Sequence, residues 1–326
     1  MSIYKVTAFV CFVILFKLTH EKCADDDKGC VQTKTHGMIS ADCYNGNFRK
    51  IPQCLRSDVE ILDLSFNRIR KITKDEIGKY KRVKILYLSD NLLTNLDDST
   101  FEDLGDLITL DLSLNAIVQP PPTLFRLPSL KRLYLSQNQN INIIDMIEQA
   151  KPISSPLELL DVSFDELKTL PDLGLLPYLL LYNISGNHLL NLKVSDIAGV
   201  CNLKVLANAN FSASFQNPCD CWNFQQWLRN RDVEFTQIPC QITQENCPYN
   251  ISQEDLKTFN DCKSRQEVDR KATLFVIGIS AAAVIAVLAL VIIGYIIYRR
   301  KRNRKFLRKK QSNILLDEKK ETAGFL

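Results

Sequence analysis

Three sets of residues in this 326-residue chain have chemistry to offer: cysteines, a spaced column of carboxylates and tyrosines, and a dense basic run. Histidine is scarce, with only His20, His36 and His188. No nucleophile–base pair, metal-spaced cluster or Gly-rich phosphate loop accompanies them. An enzyme is therefore not expected, nor a cofactor. Recognition is the remaining chemistry. Asp63, Tyr87, Asp111, Tyr134, Asp161 and Asn183 recur at nearly constant spacing. Tyrosine suits contact surfaces because it buries area with few torsions and keeps a polar tip. Two positions after each column residue stands a serine, from Ser65 to Ser185, read as packing within a tight sheet.

A phrase written six times positions that column: VEILDLSFN, VKILYLSDN, LITLDLSLN, LKRLYLSQN, LELLDVSFD and LLLYNISGN. It closes on Asn67, Asn91, Asn115, Asn138, Asp165 and Asn187, at steps of 24, 24, 23, 27 and 22 residues. Apolar and polar residues alternate within it, which predicts a short strand with one buried face. One repeat cannot bury its own leucines, Leu62 and Leu64 for example, but parallel neighbours can. The closing Asn carries donors and an acceptor for backbone groups of adjacent repeats. Asp165 keeps an acceptor and lacks the amide donor. Its 27-residue lead-in, through Pro152 and Pro156, predicts an irregular repeat. A seventh repeat from Leu203 is degenerate, with Asn208 where an inward leucine is expected. The fold class is an α/β solenoid, a curved parallel β-sheet over 59–216, and the column lines its concave side.

These phrases resemble the extracellular leucine-rich-repeat family, which includes Toll-type ectodomains, Slit domains, platelet adhesion receptor subunits and synaptic adhesion proteins. The resemblance covers roughly Cys23 to Cys262. Cys23, Cys30, Cys43 and Cys54, with Ile51-Pro52, stand as in the family's N-terminal cap (23–58). Four cysteines permit three connectivities, and sequence does not choose among them. NPCDCWNFQQWL, with Asn217-Pro218, Cys219, Cys221 and Trp227, resembles the C-terminal cap (217–262), and Phe259 before Cys262 fits its end. The resemblance implies that this cap uses four of Cys219, Cys221, Cys240, Cys247 and Cys262. Cys221–Cys262 is the preferred bridge, with Cys219 going to Cys240 or Cys247. Cys201 then reads as a buried thiol acting as a small apolar residue. A bond to the spare cap cysteine, or to another chain, is the alternative. Ten of the 11 cysteines lie after the leader, which points to an oxidising compartment.

Residues 1–22 read as a signal peptide: Lys5, then an apolar run from Val6 to Phe16 too short to span a bilayer. From Thr273 to Tyr298 no residue is charged. As a helix that segment extends about 39 Å, against a hydrocarbon core of about 30 Å. RRKRNRKFLRKK follows at once, and positive charge stays cytoplasmic. The expected topology is single-pass type I in the plasma membrane, repeats outward. Arg299, Arg300, Lys301, Arg302, Arg304 and Lys305 are expected to meet anionic lipid, at about 1 kcal/mol per residue. The tail from Arg299 holds eleven Lys/Arg against three Asp/Glu, so the net +4 of the chain is no argument for nucleic acid.

Gly278, Ala282, Ala286 and Ala289 place small residues on one face of the spanning helix, where another helix can approach; idle composition gives the same pattern. Three sequons, at Asn183, Asn210 and Asn250, are glycosylation candidates. A glycan on Asn183 would obstruct the C-terminal half of the concave column; a folded strand is equally a poor acceptor. The linker 263–272 reaches at most about 36 Å when extended, which favours partners on the same membrane. The tail beyond the basic run is too short to fold alone, its terminal Gly-Phe-Leu is expected to be unstructured, and it is too short for a kinase or a Toll-type signalling domain. The expected function is recognition of a protein ligand, as co-receptor or adhesion protein, through the concave face. The overall plan is also similar to the leucine-rich auxiliary subunits of potassium channels, which implies action through the helix and its basic collar. A polysaccharide ligand is a third option.

Overall fold

The computed structural model describes residues 29–139, 141–240 and 247–323. The expected leader and Cys23 lie outside the described residues. The chain divides after Arg265 into two units.

The first unit is built on a ten-stranded sheet. It opens with an antiparallel hairpin, β1 (Val31–Thr35) and β2 (Met38–Asp42). His36 and Gly37 turn it with φ of 50° and 85°, the two positive angles that a two-residue type I′ loop requires. Parallel strands follow, one per repeat: β3 (Ile61–Asp63), β4 (Ile85–Tyr87), β5 (Thr109–Asp111), β6 (Arg132–Tyr134), β7 (Leu159–Asp161) and β8 (Leu181–Asn183). A short pair, β9 (His188–Leu189) with β11 (Ser212–Ala213), stands apart, while β10 (Val205–Ala207) and β12 (Glu234–Phe235) end the main sheet. Three-residue strands hold because each inserts one wholly buried side chain. Leu62, Leu86, Leu110, Leu133, Leu160 and Tyr182 have 0% exposure, and each buried leucine contributes about 1.5–3 kcal/mol.

A ladder of side-chain amides ties the repeats together. Asn91 Nδ2 donates to Leu88 O (3.1 Å) in its own repeat and to Leu64 O (2.9 Å) in the preceding one. Its Oδ1 accepts from Ile69 N (3.0 Å). Asn67, Asn115, Asn138 and Asn187 repeat the pattern. To aim the ladder side chain inward, the preceding residue turns left-handed: Phe66, Asp90, Leu114, Gln137 and Phe164 have φ between 51° and 58°, and Gly186 has 67°. Such a conformation costs a side chain roughly 1–2 kcal/mol, which the amide's buried bonds offset.

Asp165 departs from the ladder in a way that composition alone does not disclose. Its Oδ1 accepts from Asn138 N (2.8 Å), while its Oδ2 is buried with no hydrogen-bond partner. Burial pushes the carboxyl up to about 8, so at neutral pH it holds a proton. A protonated carboxyl regains one donor of the missing amide. The 27-residue lead-in is irregular, as expected. It carries the helix Ile143–Ala150, capped by the Asn142 side chain, and a cis Lys151–Pro152 bond.

The C-terminal cap corrects the cysteine reading. Cys221 bonds Cys240, not Cys262, and Cys219 bonds Cys247. Cys201 is no free thiol: it bonds Cys262. The cap helix Pro218–Arg229 brings Cys219 and Cys221 to opposite sides of its first turn, so the two bond different cysteines of the connection after β12. Cys262 lies instead against the start of the last repeat, where Cys201 waits. At the other end Cys30 bonds Cys43, and Cys54 is also disulfide-bonded. Asn208, the anomaly of the seventh repeat, is explained by the cap. Its amide donates to Thr236 O (2.8 Å) and accepts from Thr236 N (2.8 Å), closing the sheet against β12. Gln225 does the same for Ile238. The Arg231 guanidinium sits 3.2 Å from the Trp227 ring centre and 4.4 Å from that of Phe259.

The helix Gln253–Ala323 begins well before Thr273, so the linker 263–272 is helical. The tail is likewise helical as far as Ala323, and the terminal Gly-Phe-Leu, where an unstructured end is expected, lies outside the described residues. The helix contains an uncharged segment long and apolar enough to cross a membrane, with mean hydropathy 3.0.

Candidate functional site

Strand register assembles the predicted column residue by residue. Asp63 lies beside Tyr87, Tyr87 beside Asp111, Asp111 beside Tyr134, Tyr134 beside Asp161 and Asp161 beside Asn183. Asp42 extends the row at the hairpin end, opposite Asp63. At about 4.8 Å per strand, Asp42 to Tyr134 spans about 19 Å. Asp63, Tyr87, Asp111, Tyr134, Asp161 and Asn183 are all half-buried.

The acidic members are held rigidly. Asp63, Asp111 and Asp161 each accept through Oδ1 from the backbone N–H two residues on, at 2.9 Å. Asn183 does the same at 3.1 Å, and Asp42 at 3.0 Å. The second carboxylate oxygen differs along the row. That of Asp161 accepts from Asn183 Nδ2 (3.0 Å), which closes this end of the column. The serines that follow are packed into the sheet edge: Ser89 Oγ lies 3.1 Å from Ser65 Oγ, and Ser185 Oγ accepts from Ala209 N (3.0 Å). Burial first, then the nearby carboxylates of Asp111 and Asp161, push the Tyr134 hydroxyl upward, with Arg132 opposing.

A second row was missed by the sequence reading. Residues two before the column share its face, because side chains alternate along a strand. They are Ile61, Ile85, Thr109, Arg132, Leu159 and Leu181; all but buried Thr109 are partly or fully exposed. The signal was present in the same phrase, one alternation earlier. Flanking them, Lys84 pairs with Glu60 and Lys131 with Glu158, both at 2.7 Å, so those charges cancel locally. On the other side of the column the left-handed turns expose Phe66, Leu114 and Phe164 at 47%, 42% and 44%. Tyr44 packs against Phe66 with ring centres 5.0 Å apart and planes tilted by 51°. The open face is therefore apolar and acidic together.

The remaining predicted residues lie elsewhere. Asn210 and Asn250 are exposed, whereas the Asn183 amide is engaged with Asp161. Gly278, Ala282, Ala286 and Ala289 are exposed along the helix, as are Arg299, Arg300, Lys301, Arg302, Arg304 and Lys305. Among the described residues, no group of three or more His, Cys, Asp or Glu is placed to hold a metal.

Parts of the chain are similar to known proteins. A family model described as leucine rich repeat matches residues 81–139. Toll-like receptor 8 of Homo sapiens is 38% identical over 98 residues, 28% of this chain and 9% of the receptor. Tsukushi of Mus musculus is 25% identical over 209 residues, 56% of this chain and 59% of its own length. The chain thus spans less than two thirds of either relative. Among solved structures, an internalin of Listeria monocytogenes matches at 19% identity and a TM-score of 0.45, over 57% of this chain and 49% of its own.

Proposed function

We propose that this leucine-rich-repeat chain is a cell-surface recognition protein, a co-receptor or adhesion protein that binds a protein ligand on the open face of its sheet. The observation that carries the reading is the pairing of two outward rows in one register. Tyr87 and Tyr134 stand between carboxylates, beside a strip of part-exposed aliphatic side chains. Aromatic anchors with an apolar surround and a polar rim are what protein contacts use. The disulfides suit an oxidising compartment. The apolar helix followed by Arg299 to Lys305 suits a plasma-membrane anchor with the repeats outside.

The test is proximity labelling on intact cells bearing the full chain, wild type against Tyr87→Ala/Tyr134→Ala. Loss of the labelled neighbours at equal surface level supports the reading; an unchanged set defeats it. Protease added to the same cells should digest the repeats and spare the C-terminal peptide. A second reading, an auxiliary subunit of a membrane complex, is favoured by Gly278, Ala282, Ala286 and Ala289 on one helix face. Exchange of the helix and basic run for an unrelated anchor separates the two, since an ectodomain function survives it.

A further inference from the structure

We infer that the partner meets the N-terminal half of the open sheet face, Asp42 to Tyr134, with a segment carrying lysine or arginine among apolar side chains. This deepens the recognition reading and rests on it. Charge is the first argument. Asp42, Asp63 and Asp111 project from the column, and half-buried Asp90 lies beside it. Arg132 is the opposing cation among the outward strand residues from β3 to β6, since Lys84 and Lys131 are already paired with Glu60 and Glu158. A partner matching this surface brings positive charge, which steers encounter and rejects acidic competitors.

The second argument is what sits between the charges. Tyr87 and Tyr134 alternate with Asp63 and Asp111 across successive strands, and Ile61 and Ile85 flank them. A cation over a tyrosine face, bonded to the adjacent carboxylate, uses both neighbours at once. The aliphatic stems of lysine and arginine cover the isoleucines at the same time. The third argument separates the two halves of the sheet. Asp161 spends its second oxygen on Asn183, so the column is self-satisfied beyond Tyr134.

A charge change can be made here without disturbing the fold. Each column carboxylate uses Oδ1 to accept a backbone N–H, and Asn183 shows that an amide oxygen serves that turn equally well. Asp63→Asn/Asp111→Asn therefore removes charge and keeps the turn. The probe is a set of fluorescent peptides of equal length and equal apolar content, bearing lysine, glutamine or glutamate at the same positions. They are titrated onto the full chain in nanodiscs of uncharged lipid. The expected result is saturable binding of the lysine peptide alone, weakened by added salt and reduced about tenfold or more by Asp63→Asn/Asp111→Asn. Asp63→Lys/Asp111→Lys should transfer the preference to the glutamate peptide.

A competing acidic groove, of about 720 Å³, is lined by Asp172, Asp220, Glu254 and Asp255, so Asp220→Asn/Glu254→Gln serves as the control. Loss of lysine-peptide binding in that control, with the Asp63/Asp111 variants unaffected, overturns the inference. Equal binding of all three peptides also overturns it. If peptide binding fails while cell-surface labelling still depends on Tyr87 and Tyr134, the basic partner is wrong and the recognition face stands. If labelling too is indifferent to the tyrosines, the recognition reading itself fails.

Discussion

Asp165→Asn should stabilise the chain at neutral pH and remove a pH dependence that the wild type carries. Asp165 occupies the ladder position of an asparagine, 2% exposed, with one oxygen unpartnered. Burial raises its pKa from 3.8 to about 8. A group raised in the folded state stabilises fully below its unfolded value, and that stability is lost as pH climbs toward the folded value. Across that window the folded chain holds a proton that the unfolded chain releases, at about 1.4 kcal/mol per pH unit. From pH 5 to pH 7 the loss is thus about 2–3 kcal/mol. Asparagine holds no titrating proton and offers two donors to carbonyls that the neighbouring amides already use, those of Leu135 and Val162. For a unit of this size, 2 kcal/mol corresponds to about 4–8 °C in Tm. The assay is thermal unfolding of the full chain in detergent micelles, with tryptophan emission followed from pH 5 to pH 8. Titrations elsewhere cancel in the difference between variant and wild type. That difference should widen by several degrees as pH rises. Parallel profiles would refute the claim that Asp165 is protonated in the fold.

Three further perturbations test the architecture. Cys201→Ser/Cys262→Ser opens a bridge across 61 residues and should cost about 4 kcal/mol, read as a lower denaturant midpoint with the other bridges intact. Asn208→Leu restores the repeat's consensus yet orphans Thr236, whose N–H and C=O both bond the amide. It should cost about 1–3 kcal/mol and expose the cap to limited proteolysis, whereas a stabilised variant would mean the cap does not depend on this contact. Leu110→Ala empties a fully buried central position and should cost about 3–5 kcal/mol; a loss below 1 kcal/mol in the same melts would show the core to be looser than described.

The repeat was legible because each strand meets copies of itself. Leu62, Leu86 and Leu110 share one environment, so a single alternation rule places all of them. It places the outward column and, applied one step further, the aliphatic row at Ile61 and Ile85. What escaped is what the repeat does not copy. Which cysteine meets which is decided where non-periodic chain folds back on the last coil, so Cys201 found Cys262 although the local motif suggested Cys221. Asn208 reads as a defect until Thr236 arrives beside it from the cap. Asp165 reads as a lost donor until burial returns its proton. The chain alone determined a stacked sheet, its outward rows and an apolar helix, because those follow from local period and composition. Only the tertiary structure decided the bridges, the cap contacts and the protonation of one carboxyl, because each depends on which distant atoms exclude water from it.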